Sequence, residues 1–401
     1  MKKTIFYAAA VSAMMLTAGS AFAQSGAGNT SSSLQEGTMN SSSITQILGT
    51  MNTAGTIQRG DGNSAMIMQQ EGLENEAYIE QVGLSNGAEV TQVGGFSHDA
   101  SIDQDGDENT AGIMQDMGWD NEGAIDQDGM LNDADIIQEG GEDNDADIDQ
   151  DGDMNEAYLI QSGGLYNYAE IDQDGDLNVA YIGQFGGMYN DAVIDQDGDL
   201  NYAGILQDNG ESNVAVIDQD GDMHWAEISQ VGGVGNDASV EQNGMDNYAD
   251  VVQFEGSGNA SMVYQDGEAN EAFVIQTGGA GNSAMIEQMG VANLAAVEQQ
   301  GGMDNSAAVY QSGAGNEAAV IQYEVGENTA YISQEGEANL AGVSQAGLAN
   351  EAAVMQMGTL HTASVVQEGT MNMATVNQMG GAGNMANVGQ SGTGNVSVIN
   401  Q

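Results

Sequence analysis

Thirty-three glutamines, from Gln35 to Gln401, follow one another in steps of 11 or 12 residues. Through most of the chain the steps alternate, as in Gln104, Gln115, Gln127, Gln138, Gln150, Gln161, Gln173 and Gln184; from Gln345 to Gln378 they are all 11. A chain this regular folds as one small unit repeated and stacked, so the period fixes the architecture before any single residue is considered.

Each glutamine closes an arm of the form N-x-A-x-[IV]-x-Q-x-G. Six residues before it stands Asn in 30 arms and His (His98, His224, His361) in the other three. Four residues before it is Ala in most arms, and two before it is Ile, Val or Leu. Eleven residues fit three helical turns, but Asn, Ala, Ile and Gln recur at i, i+2, i+4 and i+6, which is one face of a strand. A glycine in every arm would also cost a helix about 1 kcal/mol each time. The pattern predicts strands of about six residues joined by tight Gly-Asn turns of about five.

The expected fold is all-β: an amyloid-like β-solenoid of about sixteen stacked, hairpin-like rungs, each of two strands and 22–23 residues. Small Ala and β-branched Ile and Val would fill a thin core between two sheets. Gln and Asn would point inward at the strand ends, each amide bonding to its copy one rung away and to turn backbone. The candidate ladder residues in the central rungs are Gln81, Asn86, Gln92, Gln104, Asn109, Gln115, Gln127, Asn132, Gln138, Gln150, Asn155, Gln161, Gln173, Asn178 and Gln184. So many amides at one register speak for structure rather than catalysis. The three histidines replace ladder Asn and would add mild pH sensitivity.

Lys2 and Lys3, the apolar run from Ile5 to Leu16 and the Ala21-Phe22-Ala23 motif read as a secretory signal peptide over residues 1–23. Residues 24–28 would form a short N-terminal segment and 29–401 the solenoid. No other apolar run reaches membrane-spanning length. After cleavage Arg59 would be the one Lys or Arg left, against 60 Asp plus Glu, so nucleic acid is excluded as a partner. A charged partner should be cationic: a metal ion, a basic protein or a mineral surface. There is no Cys, and no Pro to interrupt a ladder.

One arm of each central rung reads I-D-Q-D-G-D. Asp103, Asp126, Asp149, Asp172, Asp195 and Asp218 precede the ladder Gln at intervals of 23 residues. Asp105, Asp128, Asp151, Asp174, Asp197 and Asp220 follow it, and Asp107, Asp153, Asp176, Asp199 and Asp222 make a third set. Stacked in register, neighbouring carboxylates repel by about 0.9 kcal/mol even in water. Such columns either keep exposed strands from associating or hold Ca²⁺; the string is not an EF-hand. No other cofactor is expected. In the other arm the residue before Gln is often aliphatic (Met114, Ile137, Ile160, Leu206, Val252, Ile275, Ile321), which predicts an exposed apolar stripe for lateral pairing or a partner.

The string Q-x-G-x-x-N-x-A-x-[IV]-x-Q resembles the curlin repeat of bacterial curli fibre subunits. It stands in Gln81-Val82-Gly83 with Asn86, Ala88, Val90 and Gln92, and in Gln288-Met289-Gly290 with Asn293, Ala295, Val297 and Gln299. The resemblance implies a β-solenoid exported across the outer membrane, polymerising on the cell surface into amyloid fibres for biofilm, adhesion and colonisation, with a nucleator subunit and export chaperones as partners. The chain is longer and more acidic than that family's familiar members, and only Gln24 to Gly28 stand where they carry a Gly-rich targeting segment.

Function therefore divides two ways. A homopolymeric fibre subunit is favoured by ends that carry no polar cap. A monomeric calcium-dependent adhesin or mineral-binding solenoid would use the Asp columns. An ice-binding surface would need exposed Thr rows that are missing. With no unique His or Cys and no carboxylate pair standing apart from the repeat, an enzyme is not expected.

Overall fold

A computed structural model describes residues 19–401, with side chains from residue 24 onward except at 324 and 325. The described residues are all-β: 34 strands, beginning β1 (Gly19–Ala27), β2 (Thr30–Glu36), β3 (Ser41–Thr50) and β4 (Thr53–Asp61). Odd and even strands form two separate sheets, and each strand pairs with the next one of its own sheet. The pairing is parallel and in register, with like residues opposed: Ile102, Ile125, Ile148 and Ile171 lie in one row. This is a β-solenoid of about sixteen turns.

The rungs differ from hairpins. The two strands of a rung lie in opposite sheets and bond to the rungs before and after, not to each other. The alternating side-chain pattern requires this, because both strands turn the same Ala–Ile–Gln face inward and meet through side chains. Between the sheets lie rows such as Ala146, Ile148, Ala157 and Leu159, all fully buried.

The strands also run longer than six residues, because the chain stays extended past the ladder Gln. Two unlike corners result. After Asp99–Asp107 only residues 108 and 109 intervene before the next strand; after Thr110–Asp116 five residues intervene. The longer corner carries an extra column of isolated bridges, including Leu73 to Phe96 to Trp119 and ending at Met303 to Gly326. Beyond that point it shortens, and register shifts between Tyr323 and Gly326. Loss of the long corner is the physical meaning of the change from 23 to 22 residues per rung.

The solenoid starts earlier than the expected Asn29. Gln24 lies 11 residues before Gln35, in β1, and its Nε2 donates to Gln46 Oε1 at 2.8 Å. The residues expected to form a separate segment, 24–28, thus lie in an arm. Of the expected signal peptide, residues 19–23 start β1 and the rest lies outside the described residues.

Candidate functional surface

Two ladders run the length of the interior. In one sheet Gln81 donates through Nε2 to Gln104 Oε1, and the same bond continues through Gln127, Gln150 and Gln173 at 2.8 Å each. In the other sheet it links Gln92, Gln115, Gln138, Gln161 and Gln184 at 2.8–2.9 Å. All are fully buried. The second N–H of each amide goes to backbone across the rung, as from Gln161 to Asp145 O at 2.9 Å. Every Gln-to-Gln bond of both ladders points the same way along the axis, so the Gln stack has a polarity.

Asparagine works differently from a stacked amide. The Oδ1 atoms of Asn86, Asn109, Asn132 and Asn155 accept the backbone N–H of the next Asn, ending at Asn178, at 2.9–3.0 Å. Their Nδ2 atoms donate to glycine carbonyls one rung on, as from Asn132 to Gly152 O at 2.8 Å. Direct Asn-to-Asn amide bonds join in towards the C-terminal part, as from Asn293 to Asn270. Asn therefore satisfies the corner backbone, which would otherwise be buried unpaired.

The histidines are buried substitutes. His224 Nδ1 accepts the Asn247 N–H at 3.3 Å, whereas neither ring nitrogen of His98 has a partner. Burial lowers the pKa of both.

The first Asp column is in register: Asp103, Asp126, Asp149, Asp172, Asp195 and Asp218 oppose one another rung by rung. Asp105 through Asp220 form the parallel column two residues on. These side chains reach solvent but are crowded by their neighbours. Partial desolvation, then the adjoining carboxylates, push Asp103 and Asp172 up to about 6 and raise the other four. Arg59, paired with Glu36 and Glu80, lies at the N-terminal end of these columns.

The third set behaves otherwise. The Oδ1 of Asp153 accepts the Met130 N–H, and Asp176, Asp199 and Asp222 likewise accept the N–H of the corner residue one rung earlier, at 2.9–3.2 Å. Asp107 does the same for Leu84. These carboxylates cap corner backbone rather than extend an ion-binding array. Among the described residues, no group of three or more His, Asp or Glu side chains is arranged to hold a metal ion.

The expected apolar stripe is broken. Met114, Ile137 and Ile160 adjoin, but Gly183, Ser229, Glu298 and Ser344 interrupt the rest, and most of its members are half-buried. A recess of about 540 Å³ opens beside Met114 and Ile137, over Gly112. The residue directly after the ladder Asn supplies what the sequence reading missed. Phe273, which opposes Asp250 in the next strand, packs obliquely against Tyr248 at 5.5 Å, whereas Tyr202, Trp225 and Tyr248 follow one another in one column with centroids 4.3 and 6.2 Å apart. Their 23-residue spacing was visible; their face was not singled out.

The curlin associated repeat matches this chain at residues 49–83, 68–94, 141–164, 167–198, 233–267, 302–327 and 347–380. No curated protein matches it.

Proposed function

The chain belongs to the curlin-repeat family, and from that premise we propose that it is a structural, non-catalytic subunit of curli-like extracellular fibres, built by stacking copies end to end on a bacterial surface. The observation that carries this reading is the one-way translational ladder. Any terminal rung of such a stack offers Gln Nε2 donors in one direction and Oε1 acceptors in the other, matched to the rung of another copy. Gln401 illustrates it. Its Nε2 makes one bond, to Met385 O, where interior glutamines make two or more. Parallel in-register edges add a row of backbone N–H and C=O groups, donors and acceptors both, for the next copy to pair with.

Charge supports the same geometry. Residues 369–401 contain no charged side chain, and between 24 and 58 the one charge is Glu36. A stack joined through these near-neutral rungs would meet little like-charge repulsion. Copies approaching side by side bring Asp columns together.

The test is Thioflavin T fluorescence with negative-stain microscopy on residues 24–401, with and without millimolar Ca²⁺. Fibres with a cross-β signature in both conditions are expected. A folded β-rich chain that stays monomeric in both overturns the proposal. Assembly that requires Ca²⁺ would assign an ion-binding role to the columns.

A further inference from the structure

Methionine is distributed in this protein the wrong way round for a hydrophobic residue. Flexible, apolar Met ordinarily fills irregular gaps in cores. Here 24 methionines are present, of which 21 lie in the described residues. Eighteen are exposed and three (Met68, Met114, Met285) are half-buried. None is among the buried residues, whose aliphatic positions are taken by Ile, Val and Ala with a single Leu (Leu159). There is no Cys, so these thioethers are the chain's whole sulfur content.

Backbone preference does not put them there. Of the 30 non-glycine residues with left-handed backbone, six are Met (for example Met117, Met154 and Met223) and one is Asn. A Cβ-bearing residue in that conformation is strained relative to Gly, with Asn tolerated best. Leu, Ala, Glu, Asp and Ser share these corners, and of the residue types found there only Met carries a sulfur open to peroxide.

We propose that the lateral surface is an oxidant-consuming coat, in which exposed methionine thioethers take oxygen from peroxide-class two-electron oxidants while the fold beneath is unchanged. In each event a sulfur lone pair attacks one peroxide oxygen. The S–O bond forms as the O–O bond breaks, the thioether is oxidised by two electrons, and the departing hydroxide takes the peroxide proton to leave as water. The product sulfoxide is polar, which would disrupt a core but suits a solvated side chain. The layer beneath is built of aliphatic carbon and amides, neither of which reacts with peroxide under such conditions. Stacking along the axis covers end rungs and leaves lateral methionines open, so the coat persists in a fibre. It does not depend on the fibre reading, because the monomer presents the same surface.

The experiment is a hydrogen peroxide titration of residues 24–401, followed by intact mass and far-UV circular dichroism, on monomer and on any assembled form. At saturation, about 18 to 21 oxygens per chain are expected, at rates within about threefold of free methionine, with β signal and melting temperature retained. Uptake stopping well short of 18, or loss of β structure as oxygen is added, overturns the proposal. Uptake that falls to a few oxygens on assembly also overturns it, because the methionines would then be contact residues. The functional arm mixes the protein with a peroxide-sensitive reporter enzyme. A variant with all 18 exposed methionines changed to Leu should keep the fold and lose the protection; undiminished protection overturns the proposal. If that variant does not fold, one with nine of them changed should show half the uptake and about half the protection.

Discussion

Gln150 donates through Nε2 to Oε1 of Gln173, 23 residues on and one rung along the stack, at 2.8 Å. Its own Oε1 receives Gln127 from the other side at the same distance. A Gln150→Leu substitution keeps the side-chain volume but strands the Gln127 Nε2 donor and the Gln173 Oε1 acceptor in a dry interior, at about 1–3 kcal/mol each, and removes the longer bond to Asp133 O. The expected loss is roughly 2–5 kcal/mol of local stability. Because rungs interact with their neighbours only, native-state hydrogen exchange should show it at residues near 127, 150 and 173 and not in distant rungs. Uniform loss along the chain would contradict the nearest-neighbour picture.

The Asp columns predict substitutions of opposite sign on one face. Asp149 faces Asp126 and Asp172, and its raised pKa reflects partial desolvation first and the carboxylates of Asp126, Asp147, Asp151 and Asp128 next. Asp149→Asn removes repulsion and should raise the melting temperature at pH 7.5. Asp176, four residues after Asp172, holds the Asp153 N–H at 2.9 Å. Asp176→Ala removes that acceptor and should lower it, by about 1 kcal/mol given the exposure of the site. Thermal melts of both single variants decide whether the two kinds of carboxylate differ as described.

The glycine two residues after each ladder Gln makes a sharper prediction. Gly152 has φ +115°, and a Cβ there would sit 2.1 Å from the carbonyl oxygen of Gly175. Gly152→Ala thus combines an unfavourable backbone with a contact that forces adjacent rungs apart. About 2–5 kcal/mol is expected from the two together. Limited proteolysis should then cut near 152–154 first, in a chain otherwise still β-rich.

Much of this was legible in the sequence because a solenoid turns sequence period directly into spatial register. The spacing of Gln104, Gln127 and Gln150 gave the ladder, and the spacing of Asp103 and Asp126 gave the column. What period alone leaves open is direction and partner. Asp153 and Asp149 recur equally well in the sequence, yet one caps a backbone N–H and the other faces its copies, because the chain bends at Gly152 between them. Gln24 is at the correct 11-residue step from Gln35, but it adjoins the expected cleavage site and reads as the start of a short segment ahead of the solenoid. The break in the apolar stripe at Gly183 and Ser229 was readable as well, once each rung was compared with the next rather than with a consensus.

His98 occupies an Asn position with neither ring nitrogen satisfied. His98→Asn gives the corner an Oδ1 acceptor and an Nδ2 donor in the geometry that Asn75 and Asn121 already use. The variant should be more stable by about 1–2 kcal/mol. Burial depresses the folded pKa of His98, so the unfolded chain takes up that proton first as pH falls. The advantage of Asn should therefore widen below about pH 6.5, which paired urea melts at pH 7.5 and 5.5 would measure.

The carboxylates respond to acid in the opposite sense, and they outnumber the histidines. Asp99, Asp103 and Asp172 are pushed up to about 6, and Asp126, Asp145, Asp147, Asp149, Asp195 and Asp218 are also raised, in each case by partial desolvation first and neighbouring carboxylates next. Between the usual carboxylate range near 4 and about 6, the folded chain binds more protons than the unfolded one. Stability then rises as pH falls through that window and is lost again as pH climbs above it. His98 and His224 act against this but are two groups. The melting temperature should therefore be higher at pH 5 than at pH 7.5, with the gap narrowing at high salt, where repulsion between exposed charges is screened. The same neutralisation weakens side-by-side repulsion, so fibres formed at pH 5 should bundle laterally more than those formed at pH 7.5. Circular dichroism melts and microscopy across pH 4.5–8 test both halves, and a melting temperature that falls on acidification would show that the columns are not crowded as the register implies.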